Sequence, residues 1–137
     1  MGLVYADITL RNAGDITIAQ RGITNDQEIR QATVTAMVDT GAATLVINEN
    51  LRLQLGLKIE EDYVAELADG SAQTYALTET VQIQWKNRRT VCQAVVVPNA
   101  TEVLLGAIPL EAMDLVVNPS KQELCGAHGD EKVFKIK

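Results

Sequence analysis

One carboxylate stands out by its setting. Asp39 interrupts a run of apolar and small residues, Met37-Val38-Asp39-Thr40-Gly41-Ala42-Ala43-Thr44-Leu45-Val46-Ile47. A carboxylate in such surroundings is costly unless it is hydrogen-bonded, paired, or shares a proton. Gly41, two residues on, permits a turn with unusual dihedrals and a close approach of backbone. A carboxyl held in this way can activate water or share a proton with a second carboxyl, which is the acid–base chemistry of hydrolysis. Taken alone, Asp-Thr-Gly is also an ordinary polar turn after a buried strand. The remaining reactive side chains offer less. Cys125, His128 and Asp130 bring one cysteine and one histidine, which do not complete a four-ligand metal site, so no metal and no other cofactor is expected. His128 is the only histidine, so a Ser-His-Asp or Cys-His mechanism would have to use it. It lies in a glycine-flanked polar stretch, Gly126 to Asp130, where a catalytic base is hard to hold in place.

The elements that must position Asp39 are constrained by composition. At 137 residues the chain is expected to form a single domain spanning 1–137, with the tail 126–137 the least certain part. Apolar residues make up 47%, which argues against disorder, while aromatics are only 4%, so the core must be built from Val, Ile, Leu and Ala. A net charge of -6 argues against a nucleic-acid partner, since phosphate binding needs a basic patch. The one short basic cluster, Lys86-Asn87-Arg88-Arg89, sits between two strand-like runs and reads as a solvated hairpin turn. No apolar run approaches the roughly 20 residues of a membrane span, so no membrane partner is expected. The N-terminus carries no secretory pattern, so a cytoplasmic location is expected, with Cys92 and Cys125 as free thiols.

Along the chain, Leu3 to Leu10 alternates, with Val4, Ala6, Ile8 and Leu10 on one face, and predicts a half-buried strand. Asn12 to Asp15 reads as a turn, with Ile16 to Ala19 pairing back as a hairpin. Gly22 to Glu28 reads as an exposed loop. Ile29 to Val38 is a strand that delivers Asp39, and Ala43 to Ile47 is another. Asn48 is a helix N-cap and Gly56 a C-terminal stop for a short helix between them. Tyr63 to Ala68, Asp69-Gly70, then Ser71 to Leu77 reads as a hairpin, because Asp-Gly is a strong hairpin signal. Thr80 to Trp85 alternates, with Val81, Ile83 and Trp85 inward, and Thr90 to Val97 follows as a strand. Val103-Leu104-Leu105-Gly106 is a short buried run, and Pro109 suits the first position of a helix through Met113. Asp114 to Val117 and Gln122 to Cys125 are short strands. Val133 to Ile136 is a terminal strand or a disordered tail. Many short strands separated by turn signals mean a mainly β barrel or sandwich.

Three features fall in one order: Asp39-Thr40-Gly41-Ala42, a hairpin tipped by Ala68-Asp69-Gly70-Ser71 roughly thirty residues later, and Leu104-Leu105-Gly106 before a short helix. Each has an ordinary structural explanation by itself. Their order and spacing resemble the retropepsin-like (retroviral-type) aspartic proteases from about residue 3 to residue 125, most closely small bacterial relatives. That resemblance implies a mainly β, closed acid-protease barrel with one or two short helices and one lobe per chain. It implies an aspartic endopeptidase in which Asp39 is the catalytic carboxyl. Thr40, Gly41 and Ala42 would form the active-site loop, Ala68 to Ser71 the flap over a peptide substrate, and Leu104 to Gly106 the support of the site. A single Asp-Thr-Gly supplies half a site, so a homodimer pairing Asp39 with its symmetry copy is implied. Thr40 would then bond across the axis. Residues 12–33 are longer than a minimal viral enzyme would need, the stretch from Gly126 has no clear counterpart, and the flap tip has no aromatic. The alternative is a catalytically silent dimeric peptide-binding module of the same fold. A third class is a structural β domain in which Asp39 only caps a turn.

Overall fold

Residues 3–136 are described in a computed structural model. Strand β1 (Tyr5–Asn12) buries Ala6, Ile8 and Leu10, the face its alternation predicts. It runs antiparallel to β2 (Gln31–Val38), from Tyr5 opposite Met37 to Arg11 opposite Gln31, and β2 ends at Asp39. Between them lies α1 (Ala13–Gln20). Past the Asp39 loop come β3 (Leu45–Ile47), α2 (Glu49–Gln54), β4 (Ile59–Glu66) and β5 (Ala72–Trp85). Then follow β6 (Arg88–Val96), β7 (Val103–Leu105), α3 (Ala107–Ala112), β8 (Leu115–Asn118) and β9 (Glu123–Gly126).

Six strands close on themselves in the order β1-β2-β7-β3-β6-β5, because the second half of β5 returns to β1, Val81 to Gln84 against Asn12 to Thr9. The pairs β2–β7 and β3–β6 are parallel, and the other barrel pairs are antiparallel. Closure removes sheet edges that would otherwise be open to pairing. The seventh strand of the sheet, β4, pairs with the first part of β5, so this hairpin stands at the edge of the barrel. The expected mainly β closed barrel is therefore the observed architecture. Its interior is aliphatic: Ile8, Leu10, Leu45, Ile47, Val81, Ile83 and Leu105 are fully buried, and Trp85 is buried at one end. Each such side chain contributes on the order of 1.5–3 kcal/mol by burial, which lets a chain so poor in aromatics hold a core. Among the described residues no helix is long and apolar enough to cross a membrane.

The structure corrects several local expectations. There are three short α-helices among the described residues rather than one or two. The extra one is α1, which replaces the hairpin expected at Ile16 to Ala19. The β-branched Ile16, Thr17 and Ile18 favour a strand locally, but Asn12 decides the outcome. Its Oδ1 accepts the Asp15 N–H at 3.1 Å as an N-cap, and its Nδ2 donates to the Leu55 carbonyl at 2.9 Å. The loop Gly22 to Glu28 is exposed as expected but ends in a single 3₁₀ turn, Asp26–Glu28. Pro109 occupies the third position of α3, not the first, where its missing N–H is equally harmless.

The α1 segment is fastened by an ion pair. Arg30 donates to the buried Asp15 carboxylate through Nε and Nη2, each at 2.8 Å, and through its backbone N–H at 3.0 Å. The guanidinium bonds hold the Asp15 carboxyl below the usual carboxylate range. A carboxyl depressed by folding contributes stability above its ordinary range and loses it as pH falls through its own lower value. Asp15→Asn should therefore lower Tm at neutral pH, and the gap to wild type should close in acid. Thermal scans across that range check this, and a gap independent of pH would contradict it.

The basic cluster is not simply a solvated turn. Lys86 and Asn87 make the turn, with Lys86 at φ 50°, but Arg88 is only 3% exposed. Its Nη1 donates to the carbonyls of Met113 (2.9 Å) and Asp114 (2.6 Å), and its Nη2 to those of Gly129 (2.6 Å) and Glu131 (3.1 Å). The guanidinium thus ties the segment after α3 to the tail. The nearest carboxylate oxygen, Oδ2 of Asp114, lies 4.0 Å away. Asp114 also accepts the Val133 N–H at 3.0 Å and meets Nδ1 of His128 at 2.7 Å. The Val133 N–H first, and His128 second, hold the Asp114 carboxyl below its usual range. His128 is therefore engaged at the C-terminal end of the chain, and β8 pairs with β9 beside it. Val133 to Ile136 forms no strand, which corrects the strand reading of that stretch, and the Val133 N–H is held by Asp114.

Candidate active site

Asp39 is set at the mouth of the barrel by the parallel pairing of β2 with β7. That pairing runs one step beyond the strands, with the Asp39 N–H donating to the Leu105 carbonyl at 3.0 Å. The chain then turns sharply, and the Ala42 N–H returns to the Asp39 carbonyl at 3.1 Å. The Gly41 N–H donates to Asp39 Oδ1 at 2.9 Å, which orients the carboxylate. Within one chain Asp39 is half-buried, and Thr40 and Gly41 are exposed. The carboxylate is therefore not sealed inside its own barrel. It stands where the chain leaves β2 at the barrel end, followed by the exposed Thr40 and Gly41.

The loop is braced from behind by the start of α3. The carbonyls of Ala42 and Ala43 accept the N–H groups of Ala107 (2.8 Å) and Ile108 (2.9 Å), donors that the first turn of a helix leaves free. Gly106 makes this approach possible. A Cβ there would lie 2.3 Å from the Thr44 carbonyl oxygen and 2.6 Å from that of Ala42. Leu105 is fully buried, and Leu104 lies opposite Met37 on one side and Val46 on the other.

Beside the loop runs a groove of about 350 Å³. Gly41, Ala42, Ala43 and Thr44 form one side, and Val46, Val95, Val97 and Leu104 continue it along the barrel. The β4–β5 hairpin forms the opposite side with Tyr63, Val64, Ala65, Glu66 and Tyr75. At the hairpin tip Asp69 Oδ1 accepts from the Ser71 N–H (2.9 Å) and hydroxyl (2.6 Å), and Gly70 has φ 87°. The Ser71 hydroxyl is the main cause of an Asp69 carboxyl held below its usual range. Such a turn fixes the register of the two strands, so Tyr63 stands opposite Tyr75.

A family model described as gag-polyprotein putative aspartyl protease matches residues 25–112. The chain belongs to this retropepsin-like aspartyl protease family. The match takes in the Asp39 loop, the hairpin and the Leu104-Leu105-Gly106 segment in the expected order. Residues before Asn25, with β1 and α1, and those after Ala112, with β8 and β9, lie outside it. None of the curated proteins matches the chain.

Of the site residues that family resemblance implies, Asp39, Thr40, Gly41 and Ala42 form one continuous loop, and Leu104 to Gly106 lie directly behind it. Gly41, Ala42 and Leu104 line the groove. Ala68, Asp69, Gly70 and Ser71 lie at and around the hairpin tip and do not line it. The hairpin's contribution comes instead from Tyr63 to Glu66 and Tyr75, which sequence reasoning left unassigned. The signal was present: a turn centred on Asp69 sets Tyr63 opposite Tyr75. Among the described residues no three His, Cys, Asp or Glu side chains are grouped to hold a metal ion.

Proposed function

We propose that this family member is an aspartic endopeptidase that works as a homodimer, with Asp39 of each chain at the twofold axis. The observation that carries the reading is the setting of Asp39. It is a single, half-exposed carboxylate, oriented by the Gly41 N–H and braced by Gly106 and α3, beside an apolar groove flanked by a hairpin. One chain provides one such carboxylate, and a twofold contact supplies the second.

In this reading the two Asp39 carboxyls share one proton. The ionised one takes a proton from water as the water oxygen attacks the scissile carbonyl, and the protonated one donates a hydrogen bond to the carbonyl oxygen. Collapse of the tetrahedral intermediate breaks the C–N bond, and a proton passes to the leaving amine. Thr40, exposed in the single chain, would bond across the axis. Residues 68 to 71 would close over a peptide lying in the groove and exclude water. The chain would act as one domain. Its free thiols, Cys92 and Cys125, suit a reducing compartment such as the cytoplasm.

The test combines activity with assembly. The purified protein should cleave members of a peptide library, be inhibited by a transition-state mimic such as pepstatin, and sediment as a dimer at the concentrations where it is active. Activity from a species that sediments as a monomer would overturn the dimeric mechanism. Peptide binding with no cleavage would move the chain to the silent binding module.

A further inference from the structure

The outer face of the barrel carries a second hollow, of about 380 Å³, that shares no lining residue with the groove beside Asp39. Strand register fixes its floor. Leu10, Asn12, Val81, Ile83 and Arg88 are buried, so Arg11, Gln82, Gln84 and Arg89, which alternate with them along β1, β5 and β6, face outward. Arg11 stands opposite Gln31 on β2 and Gln82 on β5, and Gln84 stands opposite Arg89 on β6. Helix α1, which packs beside β1 and β5, adds Ile16 to the wall, and the 3₁₀ turn and the residue after it add Asp26 and Ile29.

Arg11 is held by neutral groups alone. Its Nε donates to Gln31 Oε1 at 2.8 Å, and its Nη1 to Gln84 Oε1 at 2.6 Å, with Gln82 Oε1 at 3.4 Å. A guanidinium only donates, so the amide oxygens of all three glutamines face it and their nitrogens are turned away. Gln84 Nε2 donates to the Lys86 carbonyl at 3.0 Å. Among the described residues, Arg11 Nη2, the Gln31 and Gln82 amide nitrogens and the Arg89 guanidinium have no protein acceptor. No carboxylate of the described residues pairs with Arg11 either. The side chain is therefore fixed by three amides while its charge stays uncompensated. Such a set of donors is complementary to an oxyanion.

We propose that this hollow is a binding site for a carboxylate, gripped by Arg11 and Arg89, with the aliphatic part of the ligand against Ile16 and Ile29. Two arginines and one aspartate, Asp26, line it, a single net positive charge that a carboxylate neutralises and a phosphate dianion exceeds. The Gln31 and Gln82 amides add neutral donors. This local excess of positive charge runs against the whole chain, which stands at -6. The carboxylate belongs either to a free small acid or to an acidic side chain of a peptide, and the contacts at the arginines are the same for both.

The experiment is an NMR titration of isotope-labelled protein at constant ionic strength. The probes are butyrate, its neutral counterpart butyramide, inorganic phosphate, and the blocked tripeptides acetyl-Ala-Glu-Ala-amide and acetyl-Ala-Gln-Ala-amide. Butyrate should shift the Nε–H signals of Arg11 and Arg89 and the side-chain amide signals of Gln31 and Gln82, saturably and at least about tenfold more tightly than butyramide or phosphate, the order of a charge-assisted contact. Arg11→Gln should weaken butyrate binding by about tenfold or more. Arg89→Gln, at an exposed position, gives the same readout should Arg11→Gln fail to fold. Binding of the Glu tripeptide but not the Gln tripeptide to the same signals would assign the site to acidic peptides, and binding of butyrate alone to free acids. Shifts that do not saturate, equal binding of butyramide, tighter binding of phosphate, or butyrate affinity unchanged in the arginine variants would each overturn the proposal.

Discussion

Asp39→Asn is expected to abolish peptide cleavage, with a loss of about 10⁴-fold or more, the order seen when one essential group is removed from a hydrolase. The amide matches the carboxylate in shape. Its Oδ1 can still accept the Gly41 N–H now held at 2.9 Å, so the loop retains its turn. What it lacks is the ability to take a proton from water or share one with a second carboxyl. Thermal stability should stay close to that of the wild type, because the side chain is half-exposed and makes no ion pair among the described residues. Loss of activity together with loss of fold would point to a structural Asp39. Full activity in the variant would place the chemistry on another residue.

Gly106→Ala should have the largest effect on stability among single methyl additions near the site. The new Cβ would fall 2.3 Å from the Thr44 carbonyl oxygen, 2.6 Å from that of Ala42 and 2.8 Å from the Thr44 nitrogen. All three are backbone atoms and cannot rotate away as a flexible side chain would. Overpacking of a close-packed site costs about 1–3 kcal/mol, and an encounter with backbone on two residues belongs at the upper end. The displaced segment, Ala42 to Thr44, follows directly on Asp39. The bonds from Ala107 and Ile108 that brace it would lengthen too, so kcat should fall even in the folded fraction. Denaturant unfolding and kcat measured on the same preparation check both effects. A variant as stable and as active as the wild type would show that the loop is not held by this contact.

The barrel was readable because its strands are amphipathic. The alternation in Ala6, Ile8 and Leu10 and in Val81, Ile83 and Trp85 names the buried faces directly. The hairpin was readable from Asp69-Gly70, and α2 from the Asn48 cap, whose Oδ1 accepts the Leu51 N–H at 2.8 Å. Local signals misled where a distant partner decided the outcome. Asn12 caps α1 and also binds the Leu55 carbonyl, forty-three residues away. Arg88 looks like a turn residue, yet its partners are backbone carbonyls 25 to 43 residues further on, and no side-chain pattern marks them. The Asp39 loop was legible as a motif, but its half-exposed position was not, since burial depends on how β2 and β7 end together. The groove residues Tyr63 to Glu66 emerge from hairpin register combined with barrel closure, two constraints that no short motif contains.

In the proposed enzyme two chains build one catalytic site from two Asp39 carboxyls, and subunit mixing reads out that sharing. Wild-type protein is held at fixed concentration, and Asp39→Asn is added in increasing excess under conditions where subunits exchange. Each hybrid dimer then carries one ionisable carboxyl, and a site built from two chains is poisoned by either. Cleavage by the wild type should fall in step with its share of the mixture, to about a tenth at a ninefold excess of the variant. Activity that stays constant however much Asp39→Asn is added would contradict a site shared between chains.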